Sequence, residues 1–452
     1  MSRRLVVIGA DAAGMSAANQ ALRTARRTGA DLEVVAVEAG DVVSYSACGI
    51  PYWVAGDVDD ADDLVARTAA QHRDAGIDVR LHTEATALDL DAGQVEVRDH
   101  ASGTTSRLGF DDVLLATGAA PILPDWARDV PGVLAVKTLA DGAAWRELLA
   151  SDPRDALVVG GGYIGVEMAE TLARRGLRTT LVTRGEEPMS GSFEPAMGAL
   201  VRAALERAGV EVVTGTEVTD LETGPDGRVR AACVNGDPVR GDVVALGLGV
   251  RARTGLATGA GLPVGERGGL VPDDRQRLTD GVWAAGDCCE VLDRTLGQYL
   301  YVPLGTHANK AGRVAGTNLG GGDDRFPGIV GTAITRAGDA EVARTGLTSR
   351  WARDAGFDVE EVRMDSTTAS GYMPESDPVT VWVLGERGTG RLLGCQIVGG
   401  RGAGKRIDTA ATAMWAGLTA EDVAMADLAY APPFSPVWDP VQIACRKLAE
   451  RL

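Results

Sequence analysis

The sequence predicts an α/β protein with two Rossmann-like domains and a C-terminal α+β domain. Two segments carry the same pattern at residues 4–27 and 156–175: a buried strand runs into a glycine-rich turn and then into an amphipathic helix. A stretch rich in glycine and aspartate at residues 320–324 marks a domain boundary. The strand and helix patterns beyond it have no such glycine turn, and they cover residues 331–335, 379–384, 408–417 and 437–452.

The first of the two segments matches a dinucleotide fingerprint with one departure. Gly9 and Gly14 fit the first and third glycines of G-x-G-x-x-G, whereas Asp11 occupies the middle position. The second strand of this unit, residues 32–38, ends in Glu38, whose carboxylate is suited to accept hydrogen bonds from a ribose. The glycine turn, the helix and the terminal acid together predict a dinucleotide site.

The second segment fits the fingerprint fully, at Gly160, Gly162 and Gly165. Its second strand places Thr183 where an NAD-selective site has a carboxylate, and Arg184 follows. Loss of the acid removes repulsion of a 2′-phosphate, and the arginine is able to pair with one. The sequence therefore favours NADPH as the nicotinamide cofactor, with NADH as the alternative.

Two dinucleotide sites in one chain imply an electron relay from a nicotinamide through a flavin to a final acceptor. A third sign of flavin is the segment at residues 278–287, which reads as a strand that closes on Gly286 and Asp287. A carboxylate held there is placed to bind a sugar hydroxyl of the flavin chain. FAD and NAD(P)H are thus the predicted cofactors.

The chain resembles the pyridine nucleotide-disulfide oxidoreductases, in particular their one-cysteine branch, which contains coenzyme A-disulfide reductases, NADH oxidases and persulfide reductases. The resemblance covers nearly the whole chain. Besides the two fingerprints, its motifs lie at residues 115–121, 249–251, 286–287, 303–305 with 308–310, and 430–434.

This resemblance implies a glutathione-reductase-like fold. Residues 1–118 and 250–325 would form a discontinuous FAD-binding domain, and residues 119–249 an NAD(P)H-binding domain enclosed by it. Residues 326–452 would form a dimerisation domain, so we expect a homodimer.

The resemblance and the fingerprints also imply which residues contact the cofactors. They lie in the two glycine turns, at the ends of neighbouring strands and before the helix that follows residue 303. We expect cofactor contacts from Gly9, Ala12, Ala13, Gly14, Glu38, Ala39, Ser44, Ala85, Ala116, Thr117, Gly118, Gly160, Gly162, Tyr163, Ile164, Gly165, Glu167, Thr183, Arg184, Gly249, Gly286, Asp287, Pro303, Leu304, Gly305 and Phe434.

Cys48 is the candidate redox residue, because it follows the first nucleotide-binding unit directly. Two-cysteine relatives carry C-x-x-x-x-C, whereas here Ser44 stands four positions earlier and the next cysteine in the sequence is Cys233. An internal disulfide at this place is therefore excluded. An oxidised Cys48 would be a mixed disulfide with a small thiol, a persulfide or a sulfenic acid.

Two tyrosines complete the expected catalytic set. In coenzyme A-disulfide reductases, the family places two tyrosines of the partner subunit near the cysteine, and Tyr372 and Tyr430 match those positions. Their hydroxyls would hydrogen-bond a departing thiolate or act as general acids.

Other positions distinguish the subgroups of the family. Ala12 stands where water-forming NADH oxidases usually have a histidine, which argues against oxygen reduction by that route. Persulfide reductases often carry a C-terminal rhodanese module, and we expect none here because the sequence ends at Leu452. A small-molecule disulfide or persulfide is the expected acceptor. The rivals are an oxidase or quinone reductase in which Cys48 only stores electrons, and a redox sensor whose flavin does not turn over.

Coenzyme A is one candidate for the small thiol. Ser16, Gln20 and Arg23 fall at i, i+4 and i+7 on the first helix, and in the family this face lines the coenzyme A channel. Against this, the segment after Cys48 is acidic, with Asp57, Asp59, Asp60, Asp62 and Asp63, and its arginines, Arg67 and Arg73, come later. The acidic cluster would repel a phosphorylated substrate unless it points away.

Composition narrows the class of protein. A net charge of −18 argues against partners such as nucleic acids and anionic membrane surfaces. No apolar run reaches the length of about 20 residues that a membrane helix needs. The first strand starts near Leu5, which leaves no room for a signal peptide, so we expect a cytoplasmic protein.

The remaining cysteines and the histidines have structural interpretations. Six cysteines show no repeated metal-ligand spacing, so no metal site is predicted. Packing is favoured over redox chemistry for the adjacent Cys288 and Cys289, and burial is expected for Cys233, Cys395 and Cys445. His307 is interpreted as structural, and the segments of His72, His82 and His100 as peripheral.

Overall fold

A computed structural model describes residues 2–234 and 237–452, without the side chains of Cys233 and Val234. This part of the chain forms helices and strands in alternation. The helices are α1 (Ala12–Thr28), α2 (Ile50–Ala55), α3 (Ala69–Asp74), α4 (Leu139–Ala150), α5 (Tyr163–Arg174), α6 (Pro195–Arg207), α7 (Gly255–Gly259), α8 (Gly305–Leu319), α9 (Ser349–Asp354), α10 (Ile407–Ala416), α11 (Ala420–Ala424) and α12 (Pro440–Ala449). The strands are β1 (Arg3–Ile8), β2 (Leu32–Val37), β3 (Ile77–Arg80), β4 (Thr83–Asp89), β5 (Gln94–Asp99), β6 (Thr105–Gly109), β7 (Asp112–Leu115), β8 (Ala119–Pro121), β9 (Val133–Ala135), β10 (Asp155–Val159), β11 (Arg178–Val182), β12 (Val210–Val213), β13 (Val218–Thr223), β14 (Val229–Val234), β15 (Asp237–Arg240), β16 (Val243–Leu246), β17 (Val250–Ala252), β18 (Arg277–Thr279), β19 (Val282–Ala284), β20 (Val291–Asp293), β21 (Gln298–Leu300), β22 (Ala333–Ala337), β23 (Ala340–Gly346), β24 (Val359–Thr367), β25 (Pro378–Glu386) and β26 (Leu392–Gly399).

The described residues divide into two compact units. The first unit contains Met1–Pro121, Lys137–Leu139 and Val250–Ile329. The second unit contains Ile122–Val136, Ala140–Gly249 and Val330–Leu452. The division of the chain into three functional domains stays a prediction, because the second unit holds both the second nucleotide-binding fold and the C-terminal sheet.

The first unit is built on a six-stranded sheet in the order β18-β19-β7-β1-β2-β3. Its strands are parallel, apart from the edge strand β18. Leu5 and Val7 of β1 join a core with α1 and α8, whereas Val6 and Ile8 join the core on the opposite face. The uninterrupted apolar run of β1 therefore reflects a strand that is buried on both faces.

Helix α1 covers one face of this sheet because its small residues allow close packing. Its buried side includes Ala13, Ala17, Ala18 and Ala21, and it ends at Gly29 in the left-handed conformation with φ 77°. A second, three-stranded antiparallel sheet, β4-β5-β6, belongs to the same unit. The helix predicted at the end of the segment 4–27 is confirmed, and it spans Ala12–Thr28.

The second unit contains two main sheets. The five strands β12-β11-β10-β16-β9 form a parallel sheet, and α5 follows β10 through the second glycine turn. The five strands β22-β23-β26-β25-β24 form an antiparallel sheet, whose core is shared with α10, α11 and α12. Helix α12 begins where Asp439 accepts hydrogen bonds as its N-cap and Pro440 occupies its first turn. The predicted α+β character of the C-terminal region is confirmed.

In the part of the chain that the structure describes, no helix is both long enough and apolar enough to cross a lipid bilayer. The same residues contain no group of three or more histidine, cysteine, aspartate or glutamate side chains arranged to hold a metal ion.

Candidate functional site

The candidate site residues fall on both units. The first unit carries Cys48 together with Gly9, Ala12, Ala13, Gly14, Ser16, Gln20, Arg23, Glu38, Ala39, Ser44, Ala85, Ala116, Thr117, Gly118, Gly286, Asp287, Pro303, Leu304 and Gly305. The second unit carries Gly160, Gly162, Tyr163, Ile164, Gly165, Glu167, Thr183, Arg184, Gly249, Tyr372, Tyr430 and Phe434.

The first glycine turn brings strand, helix and neighbouring strand into close contact. A Cβ added at Gly14 would lie 1.9 Å from the carbonyl oxygen of Gly9, so no larger residue fits at the start of α1. The backbone N–H of Ala116, just after β7, donates to the carbonyl oxygen of Ile8 at the end of β1. The carboxyl ends of the parallel strands therefore meet here, at the edge of the sheet where nucleotides bind in this kind of fold.

Asp11 has a role that the fingerprint alone does not show. Its Oδ1 accepts a hydrogen bond of 3.2 Å from the backbone N–H of Tyr45. The residue that departs from the glycine pattern thus ties the fingerprint turn to the segment that carries Cys48. Burial, with smaller effects from the carboxylates of Glu38 and Asp287, raises the pKa of Asp11 to about 6.

The carboxylate of Glu38 is held by the backbone rather than by another side chain. Its two oxygens accept hydrogen bonds from the N–H groups of Ala10 (2.8 Å) and Gly40 (2.9 Å). Each carboxylate oxygen has two lone pairs, so Glu38 retains acceptor capacity for the hydroxyls of a ribose. These residues, with the close approach at Gly14, fit the nucleotide part of FAD.

Lys137 is a further residue of this region that sequence reasoning missed. Its Nζ lies 2.8 Å from Oδ2 of Asp287, and both side chains are largely buried. The hydroxyl of Tyr301 donates to the carbonyl oxygen of Asp287 at 2.9 Å. The scarcity of lysine in the sequence, four in 452 residues, was the one available signal. Asp287, expected to bind a flavin hydroxyl, is thus positioned by a cation and by its own backbone.

Cys48 lies in a short 3₁₀ turn, Ala47–Gly49, directly before α2. Among the five cysteines whose side chains the structure describes, Cys48 alone is exposed, whereas Cys288, Cys289, Cys395 and Cys445 are buried. The predicted burial of Cys395 and Cys445 is confirmed, and the side chain of Cys233 lies outside the described residues. An accessible sulfur is what reaction with a substrate requires.

Ser44 does not stand where the second cysteine of a two-cysteine relative would be. The cysteines of C-x-x-x-x-C are five positions apart, so Val43 or Trp53, not Ser44, stands where the second thiol would be. Neither is a cysteine, and the exclusion of an internal disulfide holds.

The adjacent cysteines belong to the apolar core. Cys288 and Cys289 pack with the strands of the first sheet, and the thiol of Cys288 donates to the carbonyl oxygen of Leu115 at 3.4 Å. Their sulfur atoms lie 3.7 Å apart and are not bonded. Burial raises the pKa of Cys289 well above its ordinary value, which disfavours a reactive thiolate. The hydrogen bond with Cys289 lowers the pKa of Cys288, but this side chain is fully buried and no substrate can reach it. These contacts support packing as their role.

His72 is not peripheral, as the sequence suggested, but buried with only 2% of its surface exposed. Its Nε2 lies 2.9 Å from Oγ of Ser44, four residues before Cys48. His307 matches its structural interpretation, because its Nδ1–H donates to the carbonyl oxygen of Val302 at 3.1 Å. His82 and His100 are exposed, as a peripheral position implies.

Two glycines of the second turn, Gly165 and Gly162, lack a side chain for different reasons. A Cβ added at Gly165 would lie 1.8 Å from the carbonyl oxygen of Gly160, so this position is fixed by helix–strand packing. A Cβ added at Gly162 would meet no heavy atom within 4 Å among the described residues. The absence of a side chain at Gly162 therefore leaves room for a ligand rather than for the protein itself.

We expect Gly162→Ala to raise the KM for the nicotinamide cofactor by roughly tenfold, or about 1.4 kcal/mol of lost binding. Its melting temperature should stay unchanged, because the new methyl group contacts only the ligand. Steady-state kinetics and a thermal scan of the purified protein measure both quantities. A lowered melting temperature with an unchanged KM would contradict this assignment of Gly162.

Tyr163 and Glu167 are half-buried at the start of α5. The hydroxyl of Tyr163 has no hydrogen-bond partner in the described structure, and burial raises its pKa to about 12. Oε1 of Glu167 accepts a hydrogen bond of 2.7 Å from Thr335, and burial raises the pKa of this carboxyl group. The cofactor contacts expected of Tyr163 and Glu167 stay predictions.

Thr183 and Arg184 follow β11, as the sequence predicts. Thr183 is buried, and a Cβ at Gly161 would lie 2.8 Å from its Oγ1. Arg184 is exposed. The end of β11 therefore offers an accessible guanidinium and no carboxylate.

The three aromatic residues of the C-terminal region are exposed: 75% of the surface of Tyr372, 46% of Tyr430 and 77% of Phe434 is accessible. The structure brings their two loops together. The N–H of Ser370 donates to the carbonyl oxygen of Pro432 at 2.9 Å, and Nη2 of Arg406 donates to the carbonyl oxygens of Thr368 and Phe434, both at 2.6 Å. Large exposed aromatic side chains on well-fixed loops are typical of an interface.

The face of α1 expected to bind substrate already makes contacts within the first unit. Oγ of Ser16 donates to Oδ1 of Asn309 at 2.8 Å, and Nε2 of Gln20 donates to Oγ1 of Thr24 at 3.2 Å, whereas Arg23 is exposed. Arg67 donates to Oδ1 of Asn19 on the same helix at 3.0 Å. Arg67 thus places a positive charge next to this helix, although the acidic cluster precedes it in the sequence.

Comparison with known proteins agrees with this geometry. The family described as pyridine nucleotide-disulphide oxidoreductase matches residues 3–312, and its dimerisation domain matches residues 333–440. The chain is 34% identical over 452 residues to the NAD(P)H coenzyme A polysulfide/persulfide reductase of Pyrococcus horikoshii, and 31% identical over 453 residues to an NADH oxidase of Methanocaldococcus jannaschii, covering 99% of each chain in both cases.

Among solved structures, an NAD-dependent persulfide reductase from A. fulgidus superposes with a TM-score of 0.93 at 34% identity. The match covers 99% of this chain and 83% of that one. The chain belongs to the pyridine nucleotide-disulphide oxidoreductases, a family of enzymes that use FAD together with NADH or NADPH.

Proposed function

We propose that this enzyme uses NAD(P)H to reduce a small-molecule disulfide or persulfide, and that Cys48 is the residue that reacts with the substrate sulfur. The main support for this proposal is the position of Cys48. Its side chain is exposed, and its turn is connected to the first fingerprint by the hydrogen bond between Tyr45 and Asp11. FAD, when bound, supplies the two electrons that come from the nicotinamide.

The proposed chemistry is thiol–disulfide exchange. The thiolate of Cys48 attacks one sulfur of the substrate, the substrate S–S bond breaks, and the leaving sulfur departs as a thiolate that takes up a proton. Cys48 is then part of a mixed disulfide. Two electrons and one proton then restore the Cys48 thiolate and release the second thiol.

Tyr372 and Tyr430 are the proposed proton donors to the leaving sulfur, supplied by the second subunit of a homodimer. Their exposure and the fixed geometry of their loops support this proposal. So does the match of residues 333–440 to a dimerisation domain.

Coenzyme A is the proposed thiol of the substrate. Two relatives, from Pyrococcus abyssi and Pyrococcus furiosus, are named NAD(P)H sulfur oxidoreductase (CoA-dependent). In this chain, Arg23 on helix α1 and Arg67 next to that helix provide cations for an anionic nucleotide, and Arg67 is held there by its hydrogen bond to Asn19. A reducing cytoplasm, which keeps Cys48 as a thiol between turnovers, is the proposed location.

NADPH is the proposed preferred reductant, because Arg184 is exposed at the end of β11 and Thr183 replaces a carboxylate there.

A second candidate function, NADH oxidase activity, is favoured by the names of several relatives. Ala12 argues against this oxidase activity, because it lacks the imidazole expected of water-forming oxidases.

The test compares electron acceptors under identical conditions. The purified holoenzyme is given NADPH or NADH, first anaerobically with coenzyme A disulfide or coenzyme A persulfide, then with oxygen alone. We expect kcat/KM with a coenzyme A acceptor to exceed that with oxygen by about 100-fold or more, and NADPH to be preferred. Faster turnover with oxygen would favour the oxidase, and very slow flavin reduction by either nucleotide would indicate a sensor.

A further inference from the structure

A residue three positions before the Cys48 turn has an unusual backbone conformation. Ser44 has φ 50°, in the left-handed region that non-glycine residues seldom adopt. Its N–H donates to the carbonyl oxygen of Ala10 at 3.3 Å, and its own carbonyl oxygen accepts from the N–H of Ala66 at 2.8 Å. These bonds place Ser44 between the fingerprint turn and the segment after α2, but they leave its side chain to be held separately.

The hydrogen bonds around His72 determine which of its nitrogens carries the proton. The orientation of the Asn19 amide comes first: Nδ2 lies 2.7 Å from the carbonyl oxygen of Met15, which only accepts, and Oδ1 lies 3.0 Å from Arg67, which only donates. The amide nitrogen of Asn19 therefore also faces Nδ1 of His72, at 3.2 Å.

A donor that faces Nδ1 requires this nitrogen to be the acceptor, so the imidazole proton lies on Nε2. Nε2–H then donates to Oγ of Ser44 at 2.9 Å. Hydrogen bonds thus run from Arg67 to Asn19, from Asn19 to His72 and from His72 to Ser44. In each of them a donor faces an acceptor.

The imidazole is also kept neutral. Burial, reinforced by the nearby guanidinium of Arg67, lowers the pKa of His72 to about 4. At neutral pH the ring therefore holds one proton, and Nε2–H is a permanent donor rather than a titrating one.

We propose that His72 is a positioning residue for Cys48: its Nε2–H bond to Ser44 holds the left-handed backbone from which the chain enters the Cys48 turn. The expected effect of His72 on turnover rests on the proposed reaction of Cys48 with the substrate. The expected effect of His72 on the orientation of the Cys48 thiol does not depend on that reaction.

The test measures two quantities for each variant of the holoenzyme. One is kcat with the disulfide or persulfide acceptor, and the other is the rate constant for alkylation of Cys48 by iodoacetamide, with the modified peptide identified by mass spectrometry. We expect His72→Phe, which fills the space without a donor, to lower kcat roughly tenfold and to change the alkylation rate at least about fivefold. Flavin reduction by NADPH should keep its rate.

Two variants separate the hydrogen bond from a general packing effect. His72→Gln places an amide donor near the position of Nε2, so it should restore most of kcat and of the alkylation rate. His100→Phe changes an exposed histidine outside the site and should leave both at the wild-type values.

A double-mutant cycle addresses the backbone directly. Glycine adopts φ 50° without a side chain to hold it, so in the Ser44→Gly background the further change His72→Phe should alter kcat and alkylation less than about twofold. The same effect of His72→Phe in both backgrounds would overturn the proposal, as would wild-type behaviour of a folded His72→Phe. If His72→Phe does not fold, His72→Gln and Ser44→Ala test the same bond.

The proposed function and this inference fail in different ways. Turnover that survives Cys48→Ser would refute the role of Cys48 in the reaction, but the alkylation rates would still show whether His72 positions the thiol. Normal alkylation in His72→Phe would refute the inference and leave the role of Cys48 untouched.

Discussion

The Cys48→Ser variant should lose reduction of its disulfide or persulfide acceptor by about 1,000-fold or more, because a serine hydroxyl does not attack sulfur at neutral pH. Reduction of the flavin by NADPH should proceed at its normal rate, since the predicted nicotinamide-binding residues do not include Cys48. Stopped-flow absorbance separates the two half-reactions. The reductive half should be unchanged, and the reoxidation by substrate should almost disappear.

Ala47→Ser is the matched control for this variant. It adds a hydroxyl one position away in the same 3₁₀ turn, and it leaves the sulfur in place. We expect it to keep nearly full turnover. If the Cys48→Ser variant still reduces the acceptor, the thiol has no part in the mechanism. That result would favour the oxidase candidate.

The fold could be predicted from the sequence because its main signals are local. A strand such as β1, a glycine turn and a helix such as α1 follow one another within thirty residues, and each is recognisable from its own segment. The predicted helix at residues 437–452 is shorter in the structure, Pro440–Ala449, because Asp439 and Pro440 set its start. Ends of this kind depend on capping, which periodicity does not reveal.

The contacts around the candidate site could not be predicted, because they join residues far apart in sequence. The fingerprint shows only that Asp11 is not glycine, whereas its partner Tyr45 lies on another segment. His72 lies on a helix of six residues, too short to show a buried face, and its burial depends on α1 and the Cys48 turn. Lys137 and Asp287 are separated by 150 positions. Each of these is a tertiary contact without a local pattern.

The second large effect is expected from Gly14→Ala in the first fingerprint. The added methyl carbon would lie 1.9 Å from the carbonyl oxygen of Gly9 and 3.1 Å from a methyl group of Val7, and the first of these neighbours is backbone. Helix α1 must therefore move away from β1, which overpacks the core at a cost of about 3 kcal/mol or more. Because the same turn is the predicted site of the FAD nucleotide, the purified variant should contain little FAD. The ratio of flavin to protein absorbance and the melting temperature measure the two effects.

Gly259→Ala provides the control in the same unit. Its added Cβ would meet no heavy atom within 4 Å among the described residues, and alanine is the better helix former, so stability should stay the same or rise by up to about 1 kcal/mol. Full FAD content in Gly14→Ala with an unchanged melting temperature would contradict the packing argument. Gly14→Ala and Gly162→Ala then form a contrast: the same methyl group should act through the protein's own backbone at the third glycine of a fingerprint, and only through the bound nucleotide at the middle glycine.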